Sequence, residues 1–144
     1  MGVTNVGTVI RPEISEKNKY YIDKHRYYEL KHFCLQYGEW KKMYALCNES
    51  IIFASTIECS PSSNIPSDLT AKYAIKKAYY GERIKLIEKA AMEADDFLYP
   101  YILKAVTEGL SYPNLKTRYD IPCGKDMYYD RYRRFFWLLS ESRN

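Results

Sequence analysis

The sequence predicts an all-α protein, a multi-helix domain ending in a C-terminal helix-turn-helix. Three observations carry this. Apolar residues recur three and four positions apart through most of the chain, which is the spacing of one helix face. Glycines at 38, 109 and 124 interrupt that pattern where helices would stop or restart. The stretch from Ser111 to Asn144 places a short polar-apolar segment and a long aromatic, arginine-rich segment on either side of a Pro/Gly break.

Taken in order, residues 1 to about 19 carry Gly2, Gly7 and Pro12 without a sustained helical period. They read as an extended arm, with room for a brief strand at Thr8 to Ile10. From Tyr20 to Gln36 the residues Tyr20, Asp23, Tyr27, Leu30 and Cys34 fall on one helical track. Past Gly38, Trp40, Met43, Tyr44 and Cys47 make a second short helix, so a helical pair is expected. Residues 48–66 are rich in Asn, Ser, Thr and Pro around the small apolar patch Ile51-Ile52-Phe53, and they read as a linker. The expected division is therefore 1–66, an arm, a helical pair and a linker, and 67–144, a long helix followed by the helix-turn-helix.

Ser67 or Asp68 can cap the long helix, which should run to about Ala94. Gly81 inside it costs about 1 kcal/mol relative to alanine and allows a slight bend. Asp95-Asp96 look like a carboxylate pair, but their place before Phe97-Leu98-Tyr99 points to helix capping. The next helix ends at Gly109 near Glu108, with Pro100 in its first turn, where a missing N–H does little harm. Ser111 caps a short helix from Tyr112 to Tyr119. Ile121-Pro122-Cys123-Gly124 then forms a turn, because proline pushes the residue before it toward extended geometry. The last helix should run from about Gly124 to Ser140. Tyr128, Tyr132, Phe135 and Leu139 lie within about 60° of one another at about 100° per residue and form its core stripe.

Charge and composition limit the function. Cations and anions stand at eight against seven in residues 1–66, seven against seven in 67–110 and seven against four in 111–144, so the excess sits at the C-terminal end. A basic excess there suits a DNA-facing surface. On the last helix, Lys125, Asp126 and Tyr129 are the candidates for base edges, while Arg131, Arg133 and Arg134 are the candidates for the phosphate backbone. Trp137 lies nearly opposite the core stripe and must pack elsewhere on the chain or meet a partner.

Other chemistries find little to work with. His25 and His32 with Cys34 nearby are too few for a metal site. No phosphate-binding glycine loop, H-E-x-x-H or G-x-S-x-G is present, so neither catalysis nor a cofactor is expected. Cys34, Cys47, Cys59 and Cys123 lack close pairing and read as reduced thiols. The longest apolar run, Phe135 to Leu139, is too short to cross a bilayer. These readings are those of a soluble cytoplasmic protein, away from membranes.

Gly109-Leu110-Ser111-Tyr112 through Leu115, Ile121 through Tyr129, and Arg131-Tyr132-Arg133-Arg134-Phe135-Phe136 together resemble the C-terminal part of small phage and prophage proteins of low-GC Gram-positive bacteria. Tyr27-Tyr28-Glu29-Leu30 and Phe33 through Trp40 are similar to the start of such proteins. The group resembles the RinA/ArpU-type late-transcription regulators, whose C-terminal domain is similar to the helix-turn-helix of sigma factor region 4. The resemblance implies a transcriptional regulator that binds double-stranded DNA, with host RNA polymerase and a second copy of the chain as further partners. A non-catalytic module that binds or inhibits a host or phage protein through its aromatic surfaces is the alternative.

Overall fold

A computed structural model describes residues 17–58 and 67–143 of the 144-residue chain. The described residues are all-helical, in the order α1 (Lys24–Leu35), α2 (Tyr37–Glu58), α3 (Ser67–Ala94), α4 (Tyr99–Glu108), α5 (Tyr112–Tyr119) and α6 (Lys125–Ser142). The strand considered at Thr8 to Ile10 lies outside them. So do Cys59 and residues 59–66 of the expected linker.

Two expected boundaries move. The first helix begins at Lys24 rather than Tyr20, because Asn18 and Asp23 claim the local hydrogen bonds. Asn18 accepts from the Tyr20 N–H through its side chain and from the Tyr21 N–H through its carbonyl, while Asp23 Oδ2 accepts from the His25 N–H. Asp23 is thus a cap and not part of the helical stripe. The second helix does not stop near Cys47 but continues to Glu58, taking residues 48–58 out of the expected linker. Polar residues fit because they hydrogen-bond backward along the helix: Ser50 Oγ donates to the Leu46 carbonyl and Thr56 Oγ1 to that of Ile52.

The chain divides into two compact units, one of Met1–Leu35 with Leu86–Asn144 and one of Gln36–Lys85. The expected cut after residue 66 falls inside the second. That second unit pairs α2 with the first part of α3 through Tyr44, Asn48, Lys77 and Gly81. Lys77 Nζ donates to Asn48 Oδ1 at 2.9 Å and sits over the Tyr44 ring. A Cβ on Gly81 would lie 3.1 Å from that ring, so glycine lets the helices approach there. α3 runs through Gly81 without a break.

In the first unit α4 packs against α1, α5 and α6, and α1 also packs against α6. Its core includes Leu30, Ile87, Leu98, Ile102, Leu115, Ile121 and Leu139, each at most 1% exposed. Each such side chain contributes about 1.5–3 kcal/mol by leaving water. Aromatic contacts bind α1 to α6: the Tyr27 and Phe136 rings meet edge to face at 5.1 Å, and the Tyr27 and Tyr132 hydroxyls are 2.7 Å apart. Arg26 reinforces the pair by donating to Ser140 Oγ and the Ser140 carbonyl.

Candidate nucleic-acid interface

The segment from Ser111 to Ser142 builds its surface from three local devices. Ser111 has extended backbone and its hydroxyl accepts from the Asn114 N–H, opening α5 as an N-cap. α5 closes at Asp120, which is left-handed with φ 51°, so that the Asp120 and Ile121 N–H groups both reach the Leu115 carbonyl. Aspartate tolerates that conformation better than most residues. The Tyr112 hydroxyl then donates to the Cys123 carbonyl at 2.7 Å, tying the far end of the turn back to the start of α5. Ile121 and Leu115 are both fully buried. The turn is therefore held by backbone, hydroxyl and apolar contacts together.

α6 is held along most of its length. Tyr128, Phe135, Phe136 and Leu139 are buried, so three of the four expected stripe residues lie in the core and Phe136 joins them. Tyr132 is half-buried, its hydroxyl turned to Tyr27. Trp137 packs within the chain, its ring centroid 5.9 Å from that of Tyr20. The Tyr128 hydroxyl is buried without a hydrogen-bond partner among the described residues, and burial pushes its pKa up.

The six side chains expected to meet DNA separate into groups. Lys125 and Asp126, in the first turn of α6, are exposed and make no side-chain hydrogen bond or ion pair with the described residues. Tyr129 is half-buried in a cluster with Tyr112, Tyr128 and Tyr132, and burial raises its pKa. Arg133 is half-buried, and its covered Nε has no partner among the described residues. Arg131 and Arg134 are half-exposed and bonded within the chain. Arg131 donates from Nε to Asp95 Oδ2 at 2.8 Å and from Nη1 to Asp130, while Arg134 donates to the Glu93 carbonyl and to the Tyr20 hydroxyl, each at 3.2 Å. By periodicity Arg134 lies away from the core stripe and Arg131 at its edge, and the end of α3 and Tyr20 supply their partners.

Asp95 is central to this arrangement. Its Oδ1 accepts from the N–H groups of Phe97 and Leu98, so it caps the turn leading into α4 rather than α4 itself. Burial works against the charged carboxylate, but the Leu98 N–H, the Arg131 guanidinium and the Phe97 N–H together hold its pKa below the usual value. Asp96 is exposed beside it.

The geometry adds residues that sequence patterning passed over. On α5, Asn114, Lys116, Thr117 and Arg118 are exposed, and on α6 Met127 is 49% exposed next to Lys125 and Asp126. Lys116 Nζ reaches only a long 3.5 Å contact with the Ile121 carbonyl, and Arg118 lies over the Tyr119 ring. The charge count for residues 111–144 contained Lys116 and Arg118, yet nothing in the helix period distinguished them from a solvated face. Among the described residues no group of His, Cys, Asp and Glu could hold a metal ion, and no helix is long and apolar enough to cross a membrane. Cys34 and Cys47 are buried free thiols and Cys123 is a half-buried one.

No protein-family model matches the chain, and no match was found among curated proteins or solved structures.

Proposed function

We propose that this chain is a phage- or prophage-encoded transcriptional regulator that binds duplex DNA through α5, the turn at residues 120–124 and the start of α6, used as a helix-turn-helix. One observation carries the reading. α6 is anchored by its middle and C-terminal turns, while its first turn, with Lys125, Asp126 and Met127, is exposed, and α5, tied to the turn before α6 by the Tyr112–Cys123 hydrogen bond, carries the exposed cations Lys116 and Arg118. A major-groove helix needs this division: a free N-terminal end to approach base edges and a body that fixes its angle. Lys116, Arg118 and Arg133 then supply phosphate contacts. Lys125, Asp126 and Tyr129 stand nearest the bases, with Tyr129 reaching them only along its exposed edge.

The first unit carries this DNA surface, and the second gives a protein partner something to hold. Among the described residues, seven of the eleven exposed large hydrophobic side chains belong to Gln36–Lys85, among them Phe53 at 67% and Ile75 at 71% exposure. Exposed apolar side chains in such number on one helical pair favour a protein contact. In this reading host RNA polymerase or a second copy of the chain is the partner. The same observation supports the second function, a non-catalytic interaction module that acts on a host or phage protein without DNA.

The experiment is selection of duplexes from a random library by the full chain, with and without host polymerase. Enrichment of one motif, weakened by Lys125→Ala, supports the DNA reading. Retention of polymerase with no enriched duplex supports the interaction module instead.

A further inference from the structure

We propose that Arg131 and Arg134 are positioning residues of the DNA surface: they clamp α6 to the corner where α3 ends, and so set the approach of its first turn. The inference rests on the DNA-binding reading above. It also removes both arginines from the set of expected phosphate contacts.

The two residues lie three apart on α6, on one side of the helix. Each guanidinium meets the α3 terminus by a different route. Arg134 Nε donates to the Glu93 carbonyl, one of the last-turn carbonyls that α3 cannot satisfy internally. A cation at that end also meets the negative pole of the helix. Arg131 Nε donates to Asp95 Oδ2, two residues further on, and Asp95 uses its other oxygen to hold the backbone of Phe97 and Leu98. One carboxylate therefore fixes the α3–α4 turn and one point on α6 at once. The Tyr20 hydroxyl accepts from Arg134 Nη1, and this bond, followed by the nearby charge, lowers the Tyr20 pKa.

The clamp lies in the middle of α6, while Lys125 and Asp126 lie roughly one and a half to two and a half turns nearer its start. A helix held at one point by packing can still pivot about it. Two charge-assisted bonds to a neighbouring helix end limit that pivot, because a guanidinium fork is directional where apolar packing is not.

The test compares Arg131→Gln, Arg134→Gln and Asp95→Asn with the parent chain, using the duplex enriched in the selection and a scrambled duplex. Fluorescence anisotropy across a salt series reads affinity, specificity and salt slope. Arg131→Gln and Asp95→Asn are each expected to lose about tenfold in affinity for the enriched duplex, and the double variant little more than either, since the two act as a unit. The sign separates positioning from bulk charge: one substitution removes a cation and the other an anion, so long-range attraction would move the two affinities in opposite directions. Salt slopes should stay at the parent value, whereas removal of a phosphate ligand would lower the slope by about 0.9.

A drop of that size in Arg131→Gln or Arg134→Gln, or an Asp95→Asn chain that binds the enriched duplex as tightly as the parent, overturns the proposal. Circular dichroism of each variant at the assay temperature confirms that folded chains are compared. Should Arg131→Gln not fold, Asp95→Asn decides, because an asparagine oxygen still accepts from Phe97 and Leu98. A parent chain that enriches no duplex removes the DNA reading and this inference together. Enriched duplexes with unaltered Arg131→Gln and Asp95→Asn binding remove the inference alone.

Discussion

Arg131 on α6 and Asp95 at the end of α3 are joined by a 2.8 Å hydrogen bond between Nε and Oδ2. With about a third of the arginine side chain and 15% of the aspartate exposed, the pair is partly withdrawn from water. Such a bond is less screened than a surface ion pair and links two elements far apart in sequence.

The bond gives stability a dependence on pH. The folded-state pKa of Asp95 is depressed, so its contribution is fully present above the unfolded value of about 4 and is lost as pH falls through the folded value. Urea midpoints measured from pH 6 down to pH 2 should decline more steeply in the parent chain than in Asp95→Asn. Parallel curves would mean that Asp95 gains no stabilisation from its partners.

Leu115 ties α5 to the unit and is fully buried. Leu115→Ala should cost about 2–5 kcal/mol in unfolding free energy, measured by denaturant titration. Lys116→Ala, one residue away and exposed, should stay within about 0.5 kcal/mol of the parent.

Sequence patterning reached as far as residues whose roles are local. The bounds of α3, α5 and α6 to within two residues, the Ser111 cap, the helix stop at Gly109 and the Tyr128-Tyr132-Phe135-Leu139 stripe, of which only Tyr132 is half-buried, follow from hydrogen-bonding and periodicity rules within a few residues. Three features were not legible in that patterning. Ser50 and Thr56 signalled a loop because those side chains compete with the helix backbone, and only the structure shows them bonded within α2. Arg131 and Arg134 had the charge and the helical face of phosphate ligands. That Glu93, Asp95 and Tyr20 would take them is a matter of where α3 ends. Phe136 lay beside the stripe, and its burial depends on Tyr27 of α1.

Met127 offers a base-level prediction. An exposed apolar side chain in the first turn of a major-groove helix suits the C5-methyl group of thymine. Within the enriched duplex, deoxyuridine in place of one particular thymine should weaken parent binding several-fold, on the order of 1 kcal/mol, and leave Met127→Ala unchanged. Equal weakening in both proteins would take Met127 away from that methyl group.

The thiols should differ in reactivity. Burial pushes the Cys34 pKa up and closes it to reagents, while Cys123 is raised less and is partly open in the turn before α6. An aromatic disulfide reagent should label Cys123 in the native chain and reach Cys34 only after denaturation, with Cys59 replaced by serine to keep its signal out. If the turn meets DNA, the enriched duplex slows the Cys123 reaction.

If α5 and the start of α6 form the DNA surface, Lys116→Ala/Arg118→Ala must change the salt dependence of duplex binding. With both cations on phosphates in the parent, the log–log slope of the variant should flatten by about 0.9 for each phosphate no longer neutralised, with helix content unchanged. Binding equal to the parent at every salt concentration would contradict the claim.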